Sequence, residues 1–191
     1  NLKRFDDVKS NTQRAEIAET KGILNYIKSS KVKIDFALKK INFKRFVEMS
    51  NKTNQFNSNY RRIKMDKLRS LYRNKRFKII TFSVSDKYSD SGIIASLIIE
   101  KLKENYNIIE FLISCRALGR GLEYVFINQI IKKLSIKELS INYIKTERNE
   151  PFIKFANEIK SSKNKKSYFV DLNKIYKTAS KYEKYIKFKN Y

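Results

Sequence analysis

Three apolar runs follow one another almost without pause: Phe77 to Ser85, Gly92 to Glu100 and Asn107 to Ser114, broken only by Asp86 to Ser91 and by Glu104 to Tyr106. Polar breaks this short favour strands that turn back on their neighbours, so the runs are expected to form an antiparallel meander. Directly after the third run, Leu122, Phe126, Ile127, Ile130, Ile131 and Leu134 spread a broad apolar face around a helix, which should be largely buried. A sheet with a helix packed on it is therefore the minimum architecture.

The flanking segments extend that plan. Val32, Ile34 and Phe36 alternate with Lys33 and Asp35 as in a strand, and Phe43, Phe46 and Val47 then fall on one helical face. Past the polar stretch Asn51 to Arg62, a helix is expected from an Asp66 N-cap through Leu68 and Leu71 to Tyr72. Leu139, Ile141 and Tyr143 alternate as a strand, Phe152, Phe155, Ala156 and Ile159 follow a helix start at Pro151, and Tyr168 to Leu172 suits a last strand. Lys160 to Lys166 reads as a loop, and the Lys/Tyr-rich remainder from Lys174 as a solvated helix or frayed tail. Residues 10 to 28 read as a helix with too little apolar surface for a domain core. The charged stretch from Asn1 has no signal-peptide h-region and suggests a piece of a longer chain.

Composition narrows the chemistry. Of 191 residues 41% are hydrophobic, enough for one domain with a full core, and the one cysteine forbids an internal disulfide, which suits a reducing cytoplasm. No run is apolar for the ~18 residues of a membrane helix. A net charge of +24 would attract nucleic acid, anionic membranes, CoA or acidic carrier proteins alike; AT-rich coding would also produce this Lys, Asn, Ile, Tyr and Phe excess, and no recognised nucleic-acid motif accompanies it. With no histidine, chemistry must run on Cys, carboxylates, Tyr, Lys, main-chain dipoles or the substrate, and no metal site is expected.

Two of only four glycines, Gly119 and Gly121, stand between the third strand and the buried helix. Glycine lets main-chain N–H groups approach an anion, and the helix adds its positive end, so Cys115, Arg116, Ala117, Leu118, Gly119, Arg120 and Gly121 form a candidate pyrophosphate cradle with Arg116 and Arg120 at its rim. A tight strand-to-helix turn with two solvated arginines explains the same spacing.

With its order of elements, the R-x-x-G-x-G turn at Arg116, Gly119, Arg120 and Gly121 resembles the GNAT superfamily. The resemblance implies an α/β (α+β) acyl-CoA N-acyltransferase fold, a mixed central sheet flanked by helices. Three segments are similar to the C-terminal half of FkbH-like proteins: Asn51 to Asn57, Phe111 to Gly121 and Tyr143 to Asn149, within a likeness from about residue 5 to 172. That family joins a HAD-type half to a GNAT-like half and is implicated in loading a glyceryl unit onto an acyl carrier protein. It implies residues 1–29 as a connecting helix from a HAD-type domain, 30–173 as an acyltransferase domain and 174–191 as a C-terminal segment. CoA or phosphopantetheine would be the cosubstrate, with no tightly bound cofactor, and an acyl carrier protein or acyl-CoA the partner. No D-x-D-x-T motif is present, so phosphatase chemistry is not expected, and Asn142 and Lys145 depart from the family pattern.

Cys115 is the candidate nucleophile, its thiolate to be favoured by the helix N-terminus and Arg116; an inert, packed thiol is the plainer alternative. Direct attack is the competing route, with N–H groups near Ser114 and Cys115 holding the oxyanion; Phe155 stands where many GNAT enzymes place a tyrosine. Thr53, Asn54, Gln55 and Asn57, together with Tyr143 and Asn149, are the candidate substrate residues. Asn149 could equally cap the helix at Pro151, and Asp86 and Asp90 read as turn-forming carboxylates.

Overall fold

The computed structural model describes residues 10, 12, 14, 16–103, 105–163 and 167–189. The expected meander is its centre. Strands β3 (Phe77–Ser85), β4 (Asp90–Lys101) and β5 (Tyr106–Ile113) pair antiparallel in sequence order. Around them β1 (Lys33–Ala37), β2 (Phe56–Asn57), β6 (Leu139–Asn142), β7 (Lys160–Lys163), β8 (Ser167–Val170) and β9 (Lys187–Lys189) complete a mixed sheet ordered β7-β8-β6-β5-β4-β3-β1-β9, with β2 on β5. The α/β reading with a helix-flanked mixed sheet holds.

Alternation along the strands sends side chains to two cores. On one face Ile79, Ile98 and Leu112 meet Phe46 and Met49 of α2 (Phe43–Lys52) and Leu68 and Leu71 of α3 (Met65–Arg73). The larger core lies on the other face, where Ile80, Phe82, Leu97, Phe111 and Ile113 meet α1 (Ile23–Ser30), α4 (Leu122–Leu134), α5 (Glu150–Ile159) and α6 (Leu172–Glu183). Helix α4 buries Leu122, Val125, Phe126, Ile127 and Ile130, with Phe126 stacked on Phe82 at 4.4 Å.

Several segments differ from expectation, each for a local reason. Lys160–Lys163 is the exposed edge strand β7, whose side chains carry no apolar alternation. The tail from Lys174 is no frayed end: Ile175 and Ala179, one turn apart, seat α6 in the larger core, and β9 runs parallel to β1. The final strand stops at Val170, because the Asp171 side chain accepts from Lys174 N and caps α6. Lys64 stands at the N-cap of α3, leaving Asp66 in the first turn, where its charge favours the helix dipole. The leading helix breaks at Gly22 (φ 79°), and Tyr26 and Ile27 beyond it are wholly buried. Residues 1–9, 11, 13, 15, 104, 164–166 and 190–191, including parts of the leading helix, the connecting loop and the tail, lie outside the described residues. No helix among the described residues is long and apolar enough to cross a membrane.

Glu110, on β5 opposite Ile98, is 1% exposed and neither carboxyl oxygen has a hydrogen-bond partner. Burial pushes its carboxyl up to about 8, against a smaller pull from Arg61 and Arg62. Between its ordinary 4.5 and 8 the unfolded chain releases a proton that the native state keeps, so stability falls as pH rises through that window. Glu110→Gln should flatten this limb and stabilise the protein by on the order of 2 kcal/mol at pH ~8. Thermal melts at pH ~5 and ~8.5 that keep the wild-type difference would contradict it.

Candidate functional site

Strand β5 delivers the chain into the glycine turn. Ser114 N donates to Ile94 O (2.8 Å), continuing the ladder one residue past β5, and Cys115–Ala117 form a single 3-10 turn closed by Ala117 N to Ser114 O (2.8 Å). The Ser114 N–H is therefore engaged, which removes one of the two donors expected for an oxyanion. Gly119 (φ 74°) and Gly121 (φ 67°) both take the left-handed backbone, and α4 starts at Leu122 with no side-chain cap.

The two glycines serve different needs. A Cβ on Gly119 would meet nothing within 4 Å, so this glycine faces open space. A Cβ on Gly121 would lie 2.7 Å from Ile23 Cγ2 and 3.3 Å from the Tyr182 ring, so the second glycine lets α1 and α6 approach the turn.

A cavity of about 400 Å³ opens over the turn, with Cys115, Arg116, Leu118, Gly119 and Arg120 on one side and Arg14, Ala18, Glu19 and Ile23 of the leading helical segments on the other. Cys115 is exposed, Arg116 half-buried and Arg120 only 3% exposed; Ala117 is buried under the turn. An Arg120 Nη2–H donates to Arg116 O, which ties the second arginine back across its own turn.

The wall opposite the turn is pinned by a buried ion pair. Arg14 Nε and Nη2 donate to Asp86 Oδ2 and Oδ1, each at 2.7 Å, and Nη2 also reaches Ser89 Oγ at 2.8 Å. Tyr26 OH donates to Asp86 Oδ2 (3.0 Å), and the main-chain N–H groups of Tyr88 and Ser89 donate to Oδ1. Burial pushes the Asp86 carboxyl up, but the Arg14 bonds and charge outweigh it and hold the group below its ordinary value. The turn role expected of Asp86 is present, with the anchoring of Arg14 added. Asp90 accepts from Gly92 N, an ordinary turn contact.

Of the polar cluster before α3, Thr53 and Asn57 are turned inward. β6 pairs with β5 only from Tyr106 to Ile108, and where the two part, β2 fills the space by pairing Phe56 with Ile113 and Asn57 with Leu112. Ser58 N donates to Phe111 O (3.0 Å), Phe111 N to Ser58 Oγ (2.8 Å) and Ile144 N to Ser58 O (2.8 Å). Asn57 is fully buried, its Nδ2 donating to Thr53 O (3.1 Å) and its Oδ1 accepting from Tyr60 N (2.7 Å). Asn149, also fully buried, donates through Nδ2 to Asn57 O (2.9 Å) and Ile144 O (2.7 Å) and accepts from Thr146 N (2.8 Å). It makes no side-chain capping bond to α5. Thr53 is buried, Asn54 binds Tyr60 OH and Arg62, and Gln55 is exposed. Tyr143 packs against Tyr168, ring centroids 4.2 Å apart and tilted by 31°, beside Lys163.

The structure thus gathers Cys115, Arg116, Leu118, Gly119 and Arg120 around one cavity, leaves Ala117 and Gly121 out of its lining, and gathers Thr53, Asn57 and Asn149 into a buried main-chain clasp. Arg14, Glu19 and Ile23 were absent from the expected site, since the leading helix carries no motif. A second polar group was also not foreseen: Tyr124 OH donates to Glu158, and burial, with Glu158 nearby, raises the Glu123 carboxyl to about 7 at the head of α4. Among the described residues no cluster could hold a metal ion.

No family model matches the chain, and no curated protein matches it. Among solved structures it is similar to the PaiA N-acetyltransferase from Thermoplasma acidophilum in complex with coenzyme A (12% identity, 71% of this chain and 96% of the other, TM-score 0.47). The ribosomal-protein-S18-alanine N-acetyltransferase from Escherichia coli gives 8% identity over 72% of this chain and 90% of that one, TM-score 0.45. A crystallised domain from Methanocaldococcus jannaschii DSM 2661 matches over 73% of this chain and 98% of its own length at 15% identity and a TM-score of 0.51, and with it this chain shares its fold.

Proposed function

We propose that the chain is a GNAT-type acyl-transfer domain that takes a CoA- or carrier-bound acyl thioester at the turn cavity, with Cys115 as nucleophile. The observation that carries this reading is the coincidence of an exposed thiol, two arginines and an open, left-handed glycine at the head of α4 in one cavity. The helix end and Arg116 favour the phosphate-bearing end of such a donor. The Cys115 thiolate attacks the thioester carbonyl, a tetrahedral oxyanion forms, and its collapse expels the donor thiolate, which takes up a proton. Attack by an acceptor thiol on acyl-Cys115 then restores the cysteine. Direct transfer without this intermediate is the competing route; in either route the oxyanion lacks the Ser114 N–H, which already serves Ile94 O.

In the fuller form of the reading, the parent is FkbH-like, with a HAD-type domain before residues 1–29, an acyltransferase domain at 30–173 and an acidic acyl carrier protein as partner. A charge of +24 suits that partner and leaves a second reading, a docking module without chemistry of its own. Incubation with acetyl-CoA and acetylated carrier protein, followed by intact-mass measurement, separates the two. Transfer predicts an acetyl adduct that maps to Cys115 and vanishes in Cys115→Ser. Complex formation without adduct in the wild type would remove the nucleophile and leave the docking module.

A further inference from the structure

We propose that Phe56 to Ser58 are a fixed closure of the slot between β5 and β6, which keeps an extended thioester arm out of that slot and leaves the turn cavity as the route to Cys115. The consequence rests on the acyl-transfer reading; the closure itself rests on geometry alone.

Two parallel strands that separate leave an edge of unpaired main-chain groups on each, and an extended amide-bearing ligand can bind such an edge by adding itself as a strand. Past Ile108, β5 has parted from β6, so its Phe111 to Ile113 edge is the one that an extended amide-bearing arm could join as a strand. That edge is already taken. Phe56 and Asn57 pair with Ile113 and Leu112, Ser58 exchanges bonds with Phe111, and Ile144 on the far side of the slot donates to Ser58 O.

The space is filled as well as the hydrogen bonds. The Phe56 ring, 3% exposed, packs at 5.1 Å from Phe111, 5.5 Å from Phe152 and 5.4 Å from Phe155, three rings from two walls of the slot. Asn149 and Asn59 fasten the segment at either side through Asn57 O and Ile109 O. A strand meant to leave would not bury an aromatic ring and two asparagines whose every bond is made to main chain. The thiol is then approached from the turn cavity, past the Ala18 and Ile23 wall.

The test reads the closure and the route separately. Residue-resolved hydrogen exchange on the whole chain should find the Ser58, Phe111 and Ile144 amides protected within about tenfold of the central β3 and β4 amides, with or without coenzyme A. Ala18→Trp, which puts a large ring into the cavity, should slow iodoacetamide alkylation of Cys115 by roughly tenfold or more. Exchange of the three amides about a hundredfold faster than the central strands, or loss of their protection on adding coenzyme A, would make the segment a displaceable gate and overturn the closure. Unchanged alkylation in a folded Ala18→Trp would overturn the route. If the amides stay protected and Ala18→Trp slows alkylation while no acyl-Cys115 forms from acetyl-CoA, the inference stands and only the transfer reading falls.

Discussion

Replacing Arg14 with methionine should cost the fold about 3 kcal/mol, because it strands a carboxylate that is shut away from water. The side chains of Asp86 and Arg14 are 1% and 2% exposed, and the guanidinium supplies two of the bonds to that carboxylate. Tyr26 and two main-chain N–H groups remain to Asp86, which keeps the loss from being larger. Urea unfolding measures it, and a change below ~1 kcal/mol would mean the leading helix is not held as described. The pair also sets an acid limb. With its native value held below the ordinary 3.8, Asp86 contributes stability that is complete above that pH and is lost as the pH falls through the native value. The variant should show a shallower acid transition.

Asn149→Ala should be at least as damaging, about 3–5 kcal/mol, since each buried polar group left unpaired costs ~1–3 kcal/mol. Three main-chain groups lose their partner at once: Thr146 N, Ile144 O and Asn57 O. The comparison that matters is between stability and transfer. An asparagine that binds substrate would, when removed, lower transfer and leave the melting temperature in place. Here the melting temperature should drop by several degrees, and transfer by the molecules still folded should persist.

What could be read from residues alone followed the strength of local patterning. The meander, α4 and the glycine turn were legible because β-branched runs, a wide apolar helix face and rare glycines all gave the same answer. A helix at α6 is one of the two readings the sequence allows, but its seat in the core is not legible, since only Ile175 and Ala179 mark its buried side among lysines and tyrosines. β7 reads Lys-Ser-Ser-Lys and owes its existence to β8 beside it. At the site, Gly119 and the exposed Cys115 fell where the turn motif placed them, whereas no sequence signal distinguishes an asparagine that clasps its own main chain from one that greets a ligand. Asn57 and Asn149, both expected to face substrate, lie side by side with their amides turned to main chain, a direction that only the fold gives. The Arg14 contribution was hidden for a different reason: its partner is 72 residues away in the chain.

The parallel pairing of β9 with β1 shapes how the protein is made. Lys33 to Asp35 lie beside Lys187 to Lys189, and Lys187 N donates to Val32 O. During synthesis on the ribosome, the outer side of β1 must wait for some 150 further residues before its partner emerges, and an uncovered strand is an invitation to wrong pairing. Such distant closure also slows folding. Lys33, on β1 itself, discourages a second nascent chain from docking there in the interval. A version lacking residues 187–189 should accordingly aggregate more readily during expression than its equilibrium stability alone would suggest.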